Sequence, residues 1–266
     1  MTPFRWLLAM AILAVCGPLS AHDFWIQPSA FDAAVGAPIA LRLMVGEDFT
    51  GESLAPPARS IIRFDAHDDL GRRPVTGLSG VDPAGLISGR RQGLLTVSYQ
   101  SRPSFIELAA EPFEHYLREE GLEHVIAMRV RRGESAAPGR ELFSRSAKSL
   151  ITIEDGGEAT AGAPALGLAL EFLSAHAETP VAGSPFELEL LFRGQPVADV
   201  LVVAMPKADP SSSQRLRTDS EGRVRVDLTL PGPWLLKAVH MLPTPPSTAA
   251  QWESWWASLT LSIPAS

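Results

Sequence analysis

Between Pro185 and Ile263 the chain repeats one pattern: short runs of alternating apolar and polar residues, separated by turn residues. Pro185 to Phe192 (PFELELLF) alternates strictly, and Arg223 to Leu230 (RVRVDLTL) does so again. Pro196 to Met205, Trp234 to Met241 and Trp255 to Ile263 are nearly continuous apolar runs. A period of two puts successive side chains on opposite faces, so such runs bury one face as strands, and the apolar ones bury both. Turn chemistry lies between them at Thr218-Asp-Ser-Glu-Gly222 and Pro231-Gly-Pro233. Strands recurring about every ten residues with turns between them predict a β-sandwich.

The first half reads similarly, with one exception. Pro38 to Val45, Ser60 to Phe64, Gly93 to Tyr99, Ser104 to Leu108 and Ser149 to Ile153 are expected strands. Gly46 to Pro57 and Gly77 to Gly89 are expected loops. Glu111 to Leu122 has proline in its first turn, Gly121 as a stop, and Phe113, Tyr116 and Leu117 at helical spacing. Glu123 to Arg132 reads as a second helix, and Arg140 to Ser149 as a charged surface crossing. Asp155 to Gly167 is rich in Gly and Ala without periodicity and marks the expected boundary. The expectation is therefore an all-β protein of two β-sandwich domains, 22–157 with a short helical insertion and 158–266.

Residues 1–21 have the parts of a secretory leader: Arg5, an apolar run from Trp6 to Cys16, and small residues Ser20 and Ala21 before the cut. The run is too short to span a bilayer, and no later stretch reaches the roughly 20 apolar residues a membrane helix needs. Alternatives are an uncleaved anchor, or a lipoprotein through Cys16, although Val15 is bulky for that motif. Cleavage after Ala21 places the mature protein in the periplasm without stable membrane insertion. It also removes Cys16, the single cysteine, so thiolate chemistry and disulfides are excluded. The remaining 22 Lys and Arg against 30 Asp and Glu leave net charge −8, which argues against nucleic acid as a partner.

That cut would make His22 the first residue. Its free amine and imidazole can chelate one ion, and nitrogen donors without sulfur favour Ni²⁺ or Cu²⁺ over Cu⁺. His240 is the candidate second ligand, sharing one face of its strand with Trp234, Leu236 and Ala238. Glu253 is the candidate oxygen donor or outer partner. His115 and His124 are nine apart, unlike paired ligands on one helix face, and read as solvated. Asp65, His67, Asp68 and Asp69 offer weak hard-cation chemistry but read as a polar turn. Trp255 and Trp256, being adjacent on a strand, face opposite ways and cannot share a sugar. No GxSxG, HExxH, Walker A or GxGxxG motif occurs in context, so no enzyme is expected.

Several segments together resemble a known family: His22-Asp-Phe-Trp-Ile-Gln-Pro, Tyr116-Leu-Arg-Glu-Glu-Gly-Leu, Arg140 to Leu150, Gly232-Pro-Trp-Leu-Leu-Lys-Ala-Val-His and Glu253-Ser-Trp-Trp-Ala-Ser-Leu-Thr. They are similar to bacterial periplasmic proteins grouped with cobalt and nickel uptake systems, the NikM-like or CbiK-type periplasmic component. The resemblance implies a divalent metal ion (Ni, Co or Cu) as ligand and an inner-membrane metal transporter as partner. It differs in one respect: nickel-binding N-termini of that type carry histidine second or third, and here it would be first. The second half separately resembles Ig-like and transthyretin-like or carboxypeptidase-regulatory sandwiches, through Gly194-Gln-Pro-Val-Ala-Asp-Val, Thr218-Asp-Ser-Glu-Gly-Arg-Val and Leu230-Pro-Gly-Pro-Trp. Such modules are usually non-catalytic, which supports an alternative: an envelope module binding protein or polysaccharide. A copper oxidase or mono-oxygenase using the N-terminal histidine is a third reading.

Overall fold

The computed structural model describes residues 23–154, 162–174 and 182–264. The first half contains β1 (Asp23–Pro28), β2 (Asp32–Ala33), β3 (Pro38–Glu47), β4 (Thr50–Leu54), β5 (Ile61–Asp68), β6 (Gly71–Pro74), β7 (Gly85–Ser88), β8 (Gly93–Ser101) and β9 (Ser104–Leu108). Helices α1 (Ala110–Glu119) and α2 (Glu123–Arg132) follow, then β10 (Gly139–Ile153). The second half contains β11 (Leu170–Ser174), β12 (Pro185–Phe192), β13 (Gln195–Pro196), β14 (Leu201–Pro206), β15 (Gln214–Arg217), β16 (Arg223–Asp227), β17 (Gly232–Pro243) and β18 (Trp252–Ile263).

These strands form an all-β protein of two sandwiches that share one wall. A ten-stranded sheet runs in the order β15-β14-β17-β18-β10-β8-β5-β6, with β2 and β9 also paired to β10. Strands β10 and β18 join in parallel from Glu141 opposite Trp252 to Ser149 opposite Thr260, so the sheet is continuous across both halves. On one face it is covered by the sheet β1-β3-β4, with β7 on β3. Phe24, Ile26, Leu41 and Leu43 pack there against Leu95, Val97 and Ile151. The opposite face is covered by β11-β12-β13, with β16 on β12, where Phe172, Leu188, Val202, Trp234 and Leu259 interlock.

Strand β10 differs from its expected role. Arg140 to Ser149 is not a surface crossing but most of a fifteen-residue central strand, in which 144 and 146–151 are buried. Its polar side chains are matched from far along the chain. Lys148, 1% exposed, lies 2.6 Å from Glu171 and donates to the Phe172 carbonyl at 2.9 Å. Glu171 also accepts the backbone N–H groups of Leu166 and Gly167 at 2.9 and 2.8 Å. Arg63 donates to the Leu166 carbonyl at 2.9 Å. Residues 164–168, at the end of the expected linker, are therefore tied to both sandwiches; residues 155–161 lie outside the described residues.

The helical insertion appears where its spacing placed it. Gly121 has φ +65°, left-handed backbone that favours glycine, and it terminates α1. The pair covers Val239, Met241, Trp252 and Trp256 with Phe113, Tyr116, Leu117, Leu122 and Val125. Gly139 lets α1 approach, since a Cβ there would stand 2.2 Å from the Phe113 ring. Strand β1 is buried on both sides: Phe24 and Ile26 face the first core, while Trp25 joins Phe49, Leu201, Val203, Met205 and Leu235. The expected loops 46–57 and 77–89 also contribute the edge strands β4 and β7. Among the described residues no helix is long and apolar enough to cross a membrane.

Candidate binding face

Cross-strand register decides which side chains meet. Leu242 of β17 lies opposite Glu253 of β18, Glu253 beside Leu142 of β10, and Leu142 opposite Phe105 of β9. Register partners share a face, so four strands place Phe105, Leu142, Glu253 and Leu242 in one row across the sheet. Phe105 is 53% exposed, and the other three are partly buried. The neighbouring row holds Ser144, Trp255 and His240.

Strand β12 ends over that second row. The Phe192 ring lies 4.7 Å from His240 and 4.6 Å from Trp255. The Arg193 guanidinium sits 4.9 Å from the Phe192 centroid and 5.0 Å from that of Trp255. Burial, and secondarily the nearby His124, push the His240 imidazole down to about 4, so it is neutral at neutral pH. The Glu253 carboxylate has no ion pair or side-chain hydrogen bond among the described residues. His240 and Glu253 thus occupy one face, on adjacent strands and one row apart.

His22 lies outside the described residues. Its neighbour Asp23 points to the other face of the central sheet, where Lys237 Nζ donates to Asp23 Oδ1 at 2.5 Å and to Glu120 Oε1 at 2.9 Å. Burial raises both carboxyls above their ordinary range, with Lys237 opposing it. Burial works against the charged Lys237 amine, but Glu120 and Asp23 outweigh it and hold the amine above its usual value. Lys237 is odd and His240 even along β17, so the Asp23 cluster and His240 are separated by the sheet.

Most of the other candidate groups have partners, and His115 of α1 is exposed. Asp65 lies 3.0 Å from Arg72, Asp69 2.8 Å from Arg91, and Asp68 pairs with Arg73 and Arg90. His67 Nε2 is 3.0 Å from Ser98 Oγ, and Ser98 is wholly buried. His124 Nε2 is 3.0 Å from the Met241 carbonyl. His176 lies outside the described residues. Trp252, Trp255 and Trp256 are all buried, with Trp255 and Trp256 on opposite faces as their adjacency requires. Among the described residues no group of three or more His, Cys, Asp or Glu is arranged to hold a metal ion.

Alternation placed His240 on one face with Trp234, Leu236 and Ala238, while its meeting with Trp255 comes from the antiparallel β17–β18 register. It did not single out Phe105, Leu142 or Leu242, because their meeting depends on the parallel β10–β18 register. The one signal for Phe105 was a large apolar residue alternating with Glu107 in a strand that exposes both.

The class defined by this fold is an all-β protein of two sandwiches sharing a central sheet. A family model described as a domain of unknown function (DUF4198) matches residues 19–242, and the chain belongs to that family. No curated protein matches it. Among solved structures it is similar to the D0-D1 domain of intimin, at 12% identity and a TM-score of 0.21, over 91% of this chain and 98% of that one. A tetra-tandem repeat from the extending region of a large adhesion protein matches at 12% identity and TM-score 0.24, over 92% and 50%. Three N-terminal domains of the bacteriophage RB49 highly immunogenic outer capsid protein match at 11% and 0.19, over 91% and 59%.

Proposed function

We propose that this chain is a non-catalytic binding module of the cell envelope, exported by its leader, that engages a protein partner through the Phe105–Leu142–Glu253–Leu242 row. The supporting observation is the row itself: an exposed phenylalanine and two partly buried leucines flank a carboxylate that has no ion pair among the described residues, on four hydrogen-bonded strands. An exposed aromatic ring continued by partly open apolar side chains on a rigid sheet favours a binding surface over a structural one. Protein is favoured over polysaccharide because Phe105 is the open ring, while Trp255 is 5% exposed beneath Phe192 and Arg193. The test is photo-crosslinking in cells from a reactive side chain at position 105, with exposed position 225 on the outer face of β16 as control. The expected result is a protein adduct from 105, absent from 225 and lost with Leu242→Glu. Equal labelling from both positions overturns the assignment, and a polysaccharide adduct overturns the choice of partner.

A second reading is capture of a divalent metal ion for an inner-membrane importer. It draws on the resemblance to cobalt and nickel uptake components and on one local observation: His240 is neutral and Glu253 unpaired on the same face. These are nitrogen and oxygen donors suited to Ni²⁺, Co²⁺ or Cu²⁺. Calorimetric titration with each ion would compare the mature protein with His22→Ala and His240→Ala. Equal affinity in all three removes both histidines from the account.

A further inference from the structure

We propose that α1 and α2 form a proton-linked cap, which docks on the central sheet while the Glu141 carboxyl is protonated and loosens when it ionises. Glu141 is 2% exposed at the seam between the helices and β18. Tyr116 OH of α1 donates to its Oε1 at 3.2 Å, and Ser254 Oγ of β18 donates to the same atom. Trp256 Nε1 donates to Ser254 Oγ at 3.0 Å, and the Trp256 ring stacks on Tyr116 at 5.6 Å and 9°. The contacts are hydroxyls and an indole, and among the described residues no ammonium or guanidinium stands within ion-pair distance of Glu141.

The charged and titratable groups around the seam are few. From β10, Arg145 shares the face of Glu141, but its guanidinium lies over Phe24 and Phe143 at 5.2 and 5.0 Å. From α1, Tyr116 touches Glu141 directly, and Glu120 acts on that tyrosine from the helix end. Glu120 is itself held by Lys237 of β17, which also holds Asp23 of β1. From α2, Arg129 is turned to Glu114 and to the Glu134 and Ala137 carbonyls, His124 to the Met241 carbonyl, and the Arg132 guanidinium lies over the Trp252 ring at 5.3 Å. From β18 the neighbours Ser254, Trp252 and Trp256 carry no charge. An ionised Glu141 would therefore be a desolvated anion with two or three neutral donors, which costs more than those donors return.

Burial, against those donors, raises the Glu141 carboxyl to about 7 from its ordinary 4.5. With the cap lifted, Glu141 of β10 would release its proton near its ordinary 4.5, and under the docked cap it holds the proton to about 7. Docking is therefore strongest below 4.5, weakens as pH rises through the interval, and is level above about 7. The whole interval corresponds to a few hundredfold in the docking equilibrium, on the order of tenfold per pH unit. Lifting the cap would uncover Trp252, Trp256, Val239 and Met241.

The test is amide hydrogen exchange of the full-length mature protein at pH 5 and 7.5, corrected for intrinsic rates. Expected is at least tenfold faster opening of residues 110–132 at pH 7.5, with 185–192 of β12 unchanged. Glu141→Gln should remain closed at both values. A cap as protected as β12 at both values, or a Glu141→Gln protein with unaltered pH dependence, overturns the proposal. Should that variant fail to fold, carbon-13 NMR of the wild-type Glu141 carboxyl decides: titration near 7 supports it and titration near 4.5 overturns it. Tyr116→Phe adds an independent readout: losing a donor to the anion raises the docked carboxyl further, so the rise in opening should be larger and should level off at a higher pH.

Discussion

Strand β10 buries an ionisable side chain near each end, and the two ends treat it differently. Lys148 meets Glu171 at 2.6 Å, with backbone donors and acceptors completing both groups. Glu141 has hydroxyls and an indole about it, and among the described residues no cation within ion-pair distance; Arg145 acts on it only from farther along the strand. In the first arrangement burial lowers the Lys148 amine below its usual value and Glu171 opposes that, and the pair fastens residues 164–168 and β11 to the central sheet. The second resolves its desolvation by keeping a proton and so becomes sensitive to pH. A buried charge specifies structure when its whole shell is supplied, and becomes a titration point when it is not.

The largest effect should come from breaking the paired end. Lys148→Met leaves Glu171 buried without its cation and should cost about 3–5 kcal/mol in urea unfolding. Adding Glu171→Leu should recover much of that loss, and a double variant no more stable than the single would contradict the pairing account. At the unpaired end the sign reverses. Glu141 contributes most below pH 4.5 and its contribution declines up to about 7. Relative to wild type, Glu141→Gln should therefore gain about 3 kcal/mol between pH 4.5 and 7.5, read from unfolding curves at both values. Gly139→Ala sharpens the comparison sterically: its Cβ would meet Phe113, and about 1–3 kcal/mol should be lost, with α1 exchanging faster than β12. The smallest effect should be Phe105→Ser, within about 0.5 kcal/mol in urea unfolding, because the side chain is exposed.

Legibility followed the range of the interactions. Strands β3 and β12 were readable because alternation is a local record of a half-buried sheet. Helices α1 and α2 were readable from Pro112, Gly121 and the 113/116/117 spacing. Arg140 to Ser149 misled because arginine, lysine, glutamate and serine read as surface. Their partners Tyr116, Glu171 and Ser254 lie on other elements, two of them in β11 and β18, so nothing nearby announced the burial. The candidate site divides in the same way. Strand period put His240 on the face of Trp234, Leu236 and Ala238, whereas its meeting with Trp255, and that of Phe105, Leu142 and Glu253, required the β17–β18, β10–β18 and β9–β10 registers.

By itself, the amino-acid order determined that this protein is all-β, that it carries one helical insertion, and which side chains of most strands turn inward. Those properties follow from a two-residue period and from turn and cap residues, all set within a few positions. Only the tertiary structure decided that the two sandwiches share a sheet, which buried charges find partners, and which four side chains make the open row. Strand register and burial join residues from 24 positions apart, as Lys148 and Phe172, to 113, as Glu141 and Ser254, and no local pattern encodes such distances.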